Sequence, residues 1–193
     1  MALTFDDGPS PDTTPRLLDR LDQLGLVATF FCVGSLVEGN AELVGELLRR
    51  GHQVEVHGHR HEHHFLRTPG WVRADLDAAL DALRAAGAKP KWFRPPFGQT
   101  TGATMLEARR HQLDLVLWSA WGREWAECDA ASVAKRVCRH LTTGTIALLH
   151  DTDAYSPPGS CQRALDALGP IAENLDHKGL KAVTLDQLVG ASA

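Results

Sequence analysis

Two adjacent carboxylates, Asp6 and Asp7, stand near the start of the chain in the run Thr4-Phe5-Asp6-Asp7-Gly8-Pro9-Ser10. Neighbouring side chains on an extended chain end point to different sides, which suits one carboxylate to a cation and the other to protons. Gly8-Pro9 turns the chain sharply and fixes both. Taken alone the pair reads equally as a solvent-exposed turn, since Asp-Gly and Gly-Pro steps are turn formers anyway. His57 and His61 are four residues apart, and any helical turn there puts both imidazoles on one face at bidentate metal spacing. His52, His59, His63 and His64 crowd the same region, and His59 and His63 repeat the spacing. His57 is preferred because it directly ends a predicted strand. Two histidines with one carboxylate leave coordination positions open for water and substrate, as a catalytic zinc requires.

Three further groups have chemistry to offer. Arg94-Pro95-Pro96-Phe97-Gly98 is a stiff turn after a strand. Its arginine either pairs at the surface or orients a carboxylate, Asp6 being the candidate, through a charge-assisted bond. The same turn can present the Phe97 backbone N–H as an oxyanion donor. His150-Asp151 follows the apolar run Ile146–Leu149 and places a titratable imidazole at a strand end. Trp118 ends another predicted strand, with Glu124 and Trp125 just beyond it.

The elements that must position these groups alternate along the chain. Predicted strands are Ala2–Phe5, Val27–Val33, Gln53–His57, Lys91–Arg94, Leu113–Trp118, Thr145–His150 and Leu180–Thr184. Helical patterns lie between them. Thr14 and Pro15 open the first, Leu17, Leu18, Leu21 and Leu24 form its apolar stripe, and Gly25 ends it. Asn40 to Arg50 repeats the scheme, with Gly51 as the stop. Trp71–Ala86, Ala130–Leu141 and Arg163–His177 follow, and Gly169-Pro170 is expected to interrupt the last. Regular strand–helix alternation implies parallel strands covered by helices, either a barrel or an open doubly wound sheet. Parallel strands point their carboxyl ends one way, so Asp6, Asp7, His57, His61, Arg94, Glu124 and His150 should meet on one face.

The 193 residues, 44% hydrophobic and 23% charged, suit one domain, residues 1–193, with no linker or repeat. A net charge of -4 argues against nucleic acid as a partner. The densest basic group, Arg49, Arg50 and His52, reads as solvated surface. No apolar run approaches the ~20 residues of a membrane helix, and no secretory signal is visible. The chain as it stands is therefore expected in the cytoplasm, or secreted or in the cell wall where an upstream segment precedes it. The sequence sets no oligomeric state. Of the four cysteines, Cys32 lies in an apolar run and is expected to be buried. No pair has C-x-x-C spacing, and a Cys128–Cys138 bridge is open to an oxidising compartment.

Together these motifs resemble the polysaccharide deacetylase family, the NodB-type domain of carbohydrate esterase family four. The matching stretches are Thr4 to Ser10, His57-Gly58-His59-Arg60-His61, Arg94 to Gly98, Trp118 to Trp125, and Leu148-Leu149-His150-Asp151, with Gly179 to Leu188 similar to the family's last strand and helix. The resemblance implies an α/β fold, a distorted (β/α) barrel of about seven parallel strands. It implies a divalent metal, Zn²⁺ first with Co²⁺ as the alternative, held by Asp7, His57 and His61. Asp6, oriented by Arg94, would be the base that activates water. The Phe97 amide, with the metal, would hold the tetrahedral oxyanion, and His150 would protonate the departing amine. Leu148 and Trp125 would line the acetyl pocket.

The implied function is metal-dependent hydrolysis of N-acetyl groups on amino sugars or their polymers, of chitooligosaccharide or peptidoglycan type, releasing acetate. An O-acetyl esterase on xylan-type chains, or a non-sugar amide hydrolase, needs the same chemistry. A non-catalytic sugar- or metal-binding module would have lost the base or the acid, whereas Asp6 and His150 are both present. Three motifs depart from the family pattern, at four positions. Gly58 replaces a Ser or Thr whose hydroxyl could brace its loop, and Phe97 stands where Tyr is frequent. Trp121 and Glu124 occupy the positions of two aspartates in the fourth motif. Glu124 is expected to keep the charge that tunes His150, at a longer reach. Trp121 cannot, and becomes a stacking platform for a sugar ring or core filler.

Overall fold

In a computed structural model describing residues 1–190, β1 (Ala2–Asp6) is buried along its whole length. Leu3 and Phe5 pack with the apolar stripes of the helices, whereas Ala2 packs with Phe31, Val116 and Leu185 in a second cluster. Around β1 lie β2 (Thr29–Cys32), β3 (Gln53–Val56), β4 (Trp92–Phe93), β5 (Asp114–Leu115), β6 (Ala120–Trp121) and β7 (Ile146–His150). Their order is β5-β4-β3-β2-β1-β7-β6, and every neighbouring pair is parallel. The edge strands β5 and β6 do not pair with each other, so the sheet is a barrel left open at one seam.

The helices are α1 (Thr14–Gln23), α2 (Gly34–Gly39), α3 (Ala41–Arg49), α4 (Pro69–Ala85), α5 (Gly102–Arg110), α6 (Ala130–Cys138), α7 (Ser160–His177) and α8 (Leu185–Gly190). Each longer helix turns an apolar stripe to the sheet. Leu17, Leu18 and Leu21 of α1, Val44 and Leu47 of α3, and Leu76, Leu80 and Leu83 of α4 are buried against Phe5, Phe30 and Phe93. Each such side chain contributes about 1.5–3 kcal/mol by leaving water. At the opposite end from the candidate site, the buried Glu55 carboxylate accepts the backbone N–H groups of Lys91 and Trp92, both at 2.7 Å, and ties β3 to β4.

Several expectations are corrected. Leu180–Thr184 is no strand: only Val183 bridges to Ala2, because β1 already pairs with β2 on one side and β7 on the other. The seventh strand is β6, and the run Leu113–Trp118 shortens to β5. Pro170 does not interrupt α7. It is exposed, while Leu168, Ile171 and Leu175 beside it are buried and hold the helix to the core. His52 is buried rather than solvated; its Nδ1 accepts the Ala28 N–H at 3.2 Å, and burial lowers its pKa. All four cysteines are free thiols, so Cys128 and Cys138 are not bridged, and Cys32 is buried as expected. Among the described residues no helix is long and apolar enough to cross a membrane.

Candidate active site

At the carboxyl end of β1 the chain leaves the sheet abruptly. Asp7 adopts a left-handed φ of 84°, followed by a cis Gly8–Pro9 bond. Gly8 is required here, because a Cβ would lie 2.0 Å from Asp151 Oδ2. The Asp151 carboxylate accepts the Thr14 hydroxyl at 2.8 Å. Burial pushes its pKa up to about 7, with the nearby Asp7 charge adding to the rise. The left-handed residue ends the extended alternation, so Asp6 and Asp7 both face one cavity instead of opposite sides.

His57 follows β3. Its Nδ1 lies 2.6 Å from the Arg94 carbonyl oxygen. A carbonyl only accepts, so Nδ1 carries the proton and Nε2 keeps its lone pair. That Nε2 is 3.4 Å from Asp7 Oδ1, and His61 Nε2 is 3.1 Å from the same oxygen. Asp7 Oδ1 is buried without a hydrogen-bond partner. One ligand atom from each of the three residues falls within 4.8 Å of the others. An orphaned oxygen facing imidazole nitrogens is the donor set a divalent cation takes.

The two histidines are not on a helical turn, as their spacing suggested. Residues 57–63 form a loop in which Gly58 has φ 82°. The Asp75 carboxylate of α4 accepts the backbone N–H of His59 at 2.9 Å and of Arg60 at 3.0 Å. This clamp supplies the bracing that a hydroxyl at position 58 would give. The alternative pair is directed elsewhere: His63 bonds Gln99 at 2.8 Å and stacks on Phe97 at 3.7 Å, and His59 lines a separate cavity beside Trp71.

Arg94 is completely buried. Its Nη1 donates to Asp6 Oδ1 at 2.7 Å and to Thr4 Oγ1 at 2.8 Å, and Nη2 to the Leu117 carbonyl at 3.3 Å. The guanidinium also lies 4.0 Å over the Phe31 ring. Burial lowers its pKa and the Asp6 charge opposes that shift. Only Oδ1 of Asp6 is engaged; Oδ2 is 3.8 Å from His57 Nε2, next to the candidate metal centre.

His150, the last residue of β7, bonds Glu124 through Nδ1 at 2.7 Å. Glu124 is fully buried, and the contact is direct rather than at the long reach expected. Burial alone would lower the His150 pKa, but the Glu124 carboxylate, with Asp7 and Asp6 behind it, lifts it to about 9. Its Nε2 is left facing the cavity, 3.9 Å from Asp7 Oδ2.

Asp6, Asp7, His57, His61 and His150 share a cavity of about 350 Å³ with Phe97, Trp118, Trp121, Trp125, Leu148 and Tyr155, with Arg94 and Glu124 buried behind its wall. Phe97 has φ 59°, and its ring lies 4.3 Å from that of His61. Trp125 stands edge-on to His150 at 5.4 Å. Trp121 lies on the wall, not in the core, with Trp118 at 5.4 Å on one side and Trp125 at 4.7 Å on the other. The sequence left Asp153 and Tyr155 of the Asp151–Ser160 loop open between touching substrate and capping the barrel; Tyr155 lines the cavity and stacks on His61 at 4.4 Å and 22°, whereas Asp75 was given no role. Asp153 faces away from the cavity and caps α7, accepting the N–H groups of Gly159 and Cys161, both at 2.6 Å.

Comparison with known proteins gives the same picture over nearly the whole length. A chitooligosaccharide deacetylase of Bradyrhizobium sp. (strain ANU 289) is 35% identical over 197 residues, covering 96% of this chain and 89% of that protein. A peptidoglycan-N-acetylglucosamine deacetylase of Bacillus cereus is 32% identical over 193 residues, 100% of this chain and 69% of that one. The solved structure of a family 4 acetyl xylan esterase from Clostridium thermocellum, in complex with a cobalt ion, superposes with a TM-score of 0.89. It is 30% identical, over 98% of this chain and 90% of that one. The polysaccharide deacetylase family model matches residues 1–116. The chain belongs to the polysaccharide deacetylase family.

Proposed function

We propose that the protein is a metal-dependent deacetylase that hydrolyses the N-acetyl groups of amino-sugar glycans, with Zn²⁺ as its natural cation at Asp7, His57 and His61. The observation that carries this reading is one cavity holding three kinds of group. These are a cation-type donor trio, a carboxylate with one free oxygen, and an imidazole held by a carboxylate. A bound divalent cation supplies Lewis acidity, polarising the acetamide carbonyl and making water acidic enough to attack. Asp6 Oδ2 takes the proton of the attacking water while Arg94 keeps Oδ1 fixed. Water oxygen bonds to the carbonyl carbon, and the Phe97 backbone N–H is the proposed donor to the oxyanion. Collapse breaks the C–N bond, and His150 Nε2 gives its proton to the leaving nitrogen. Acetate and a free sugar amine result. Trp125 and Leu148 enclose the methyl group.

The test is acetate release from N-acetylglucosamine oligomers set against acetylated xylan. Turnover confined to the xylan would favour the second reading, O-deacetylation, which the likeness to an acetyl xylan esterase supports.

The Glu124–His150 pair sets a pH dependence. Glu124 favours the protonated imidazole, so the acid form persists to higher pH than in a free histidine. Glu124→Gln should therefore move the alkaline limb of kcat/KM to lower pH by roughly 1–3 pH units, leaving activity below that limb closer to the parent. A pH–rate profile checks this, and an unmoved limb would separate His150 from the acid role.

A further inference from the structure

A second cavity adjoins the first and shares Trp118 and Trp121 with it. Its other walls are Ser119, Ala120, Arg123, Arg136, Arg139 and His140. Three guanidiniums line it and no carboxylate does, although the chain as a whole carries a net charge of -4. None of the three forms an ion pair among the described residues. Arg136 donates to the carbonyl oxygens of Gly122 and Arg123, both at 3.2 Å. That fixes the cavity wall and the loop carrying Glu124. Asp129, whose pKa is lowered first by its hydrogen bond with Ser132 and last by the Arg136 charge, is turned to cap α6 through the Ser132 N–H. Among the described residues the Arg139 side chain bonds only His140, and the Arg123 guanidinium lies 5.6 Å over the Trp121 ring.

Unpaired arginines in a concave site satisfy their forked donors best with an oxyanion. The tryptophan wall between the two cavities is a surface on which a sugar ring can lie. We propose that the Arg123–Arg136–Arg139 cavity binds the carboxylate of a sugar neighbouring the one being deacetylated. The preferred substrate is then an acidic glycan rather than a neutral one. This rests on the deacetylase reading of the adjoining site, and it adds the charge class of the substrate.

The probe is a disaccharide of N-acetylglucosamine linked to N-acetylmuramic acid, compared with the same disaccharide bearing a carboxamide in place of the carboxylate. Binding is followed by tryptophan fluorescence, since Trp118 and Trp121 form the shared wall. The carboxylate form should bind about tenfold tighter at about 0.05 M salt, and the gap should narrow at about 0.5 M. The double variant Arg123→Asn and Arg139→Gln should erase the preference. Asn is chosen at position 123 because φ there is 53°, a region Asn tolerates. Arg136 is left intact to hold its loop. Equal affinities of the wild-type protein for the two disaccharides would overturn the proposal without reference to any variant. A preference that survives in a folded double variant would overturn the assignment to these arginines. Acetate release is measured on both disaccharides in parallel. Its absence from both, with the binding preference intact, would overturn the hydrolytic reading and support this one.

Discussion

Asp6→Asn should lower kcat by roughly 10²–10⁴ while leaving metal affinity close to the parent value. The amide oxygen can still accept from Arg94 Nη1, so the side chain keeps its place. What it loses is the second oxygen, the one 3.8 Å from His57 Nε2, as a proton acceptor. Asp7, His57 and His61 are untouched, which is why cation binding by calorimetry should hardly move. Folding stability will fall as well, because Arg94 is completely buried and loses its counter-charge. Breaking a buried pair costs about 3–5 kcal/mol when one partner is left bare. Here the retained hydrogen bond, Thr4 Oγ1, the Leu117 carbonyl and the Phe31 ring keep the cost at or below that range. Kinetics must therefore be read below the variant's own melting temperature. A folded, metal-loaded variant turning over within about tenfold of the parent would remove Asp6 from the proton transfer.

That experiment turns on two residues 88 positions apart in the chain, and their meeting was legible before any coordinates. Parallel strands send their carboxyl ends to one face, so residues ending β1, β3, β4 and β7 had to converge. Local geometry was less legible. The spacing of His57 and His61 suggested a helical turn, whereas a loop clamped by Asp75 brings them together. Nothing near residue 58 reveals a carboxylate arriving from another helix. One short edge strand also escaped detection: β6 has two residues, too few to show an alternation, and the β-branched run at Leu180–Thr184 looked stronger, while the run holding β5 was found but drawn too long. Pro170 misled because local propensity cannot weigh the buried face that holds α7 straight. The α5 helix was missed despite a capping box between Thr101 and Thr104, a signal present in the sequence. The arginine cavity was invisible because Arg123 comes from a loop, Arg136 from the last turn of α6 and Arg139 from just beyond its end.

Stripping the metal should reduce turnover to background, and added Zn²⁺ or Co²⁺ should restore it. The reason lies in atoms already in place. Asp7 Oδ1 is buried with no hydrogen-bond partner, and the Arg94 carbonyl fixes the His57 ring so that Nε2 faces that oxygen. An apo protein therefore holds an anion and lone pairs against one another, and a cation relieves that opposition. Free metal at about 100 times its Kd should add about 2.7 kcal/mol of stability. For a chain of this size that raises the melting temperature by about 5–11 °C. Ligating imidazoles must be neutral, so the gain should shrink as the solution is acidified. His61→Ala separates the site from adventitious binding. It removes one of three donors without touching Asp6, Arg94 or His150, so the metal-induced rise, taken from the variant's own apo melting temperature, should largely vanish. An equal rise in parent and variant would place the cation elsewhere on the molecule, and the geometry of Asp7, His57 and His61 would then have no bearing on the reaction.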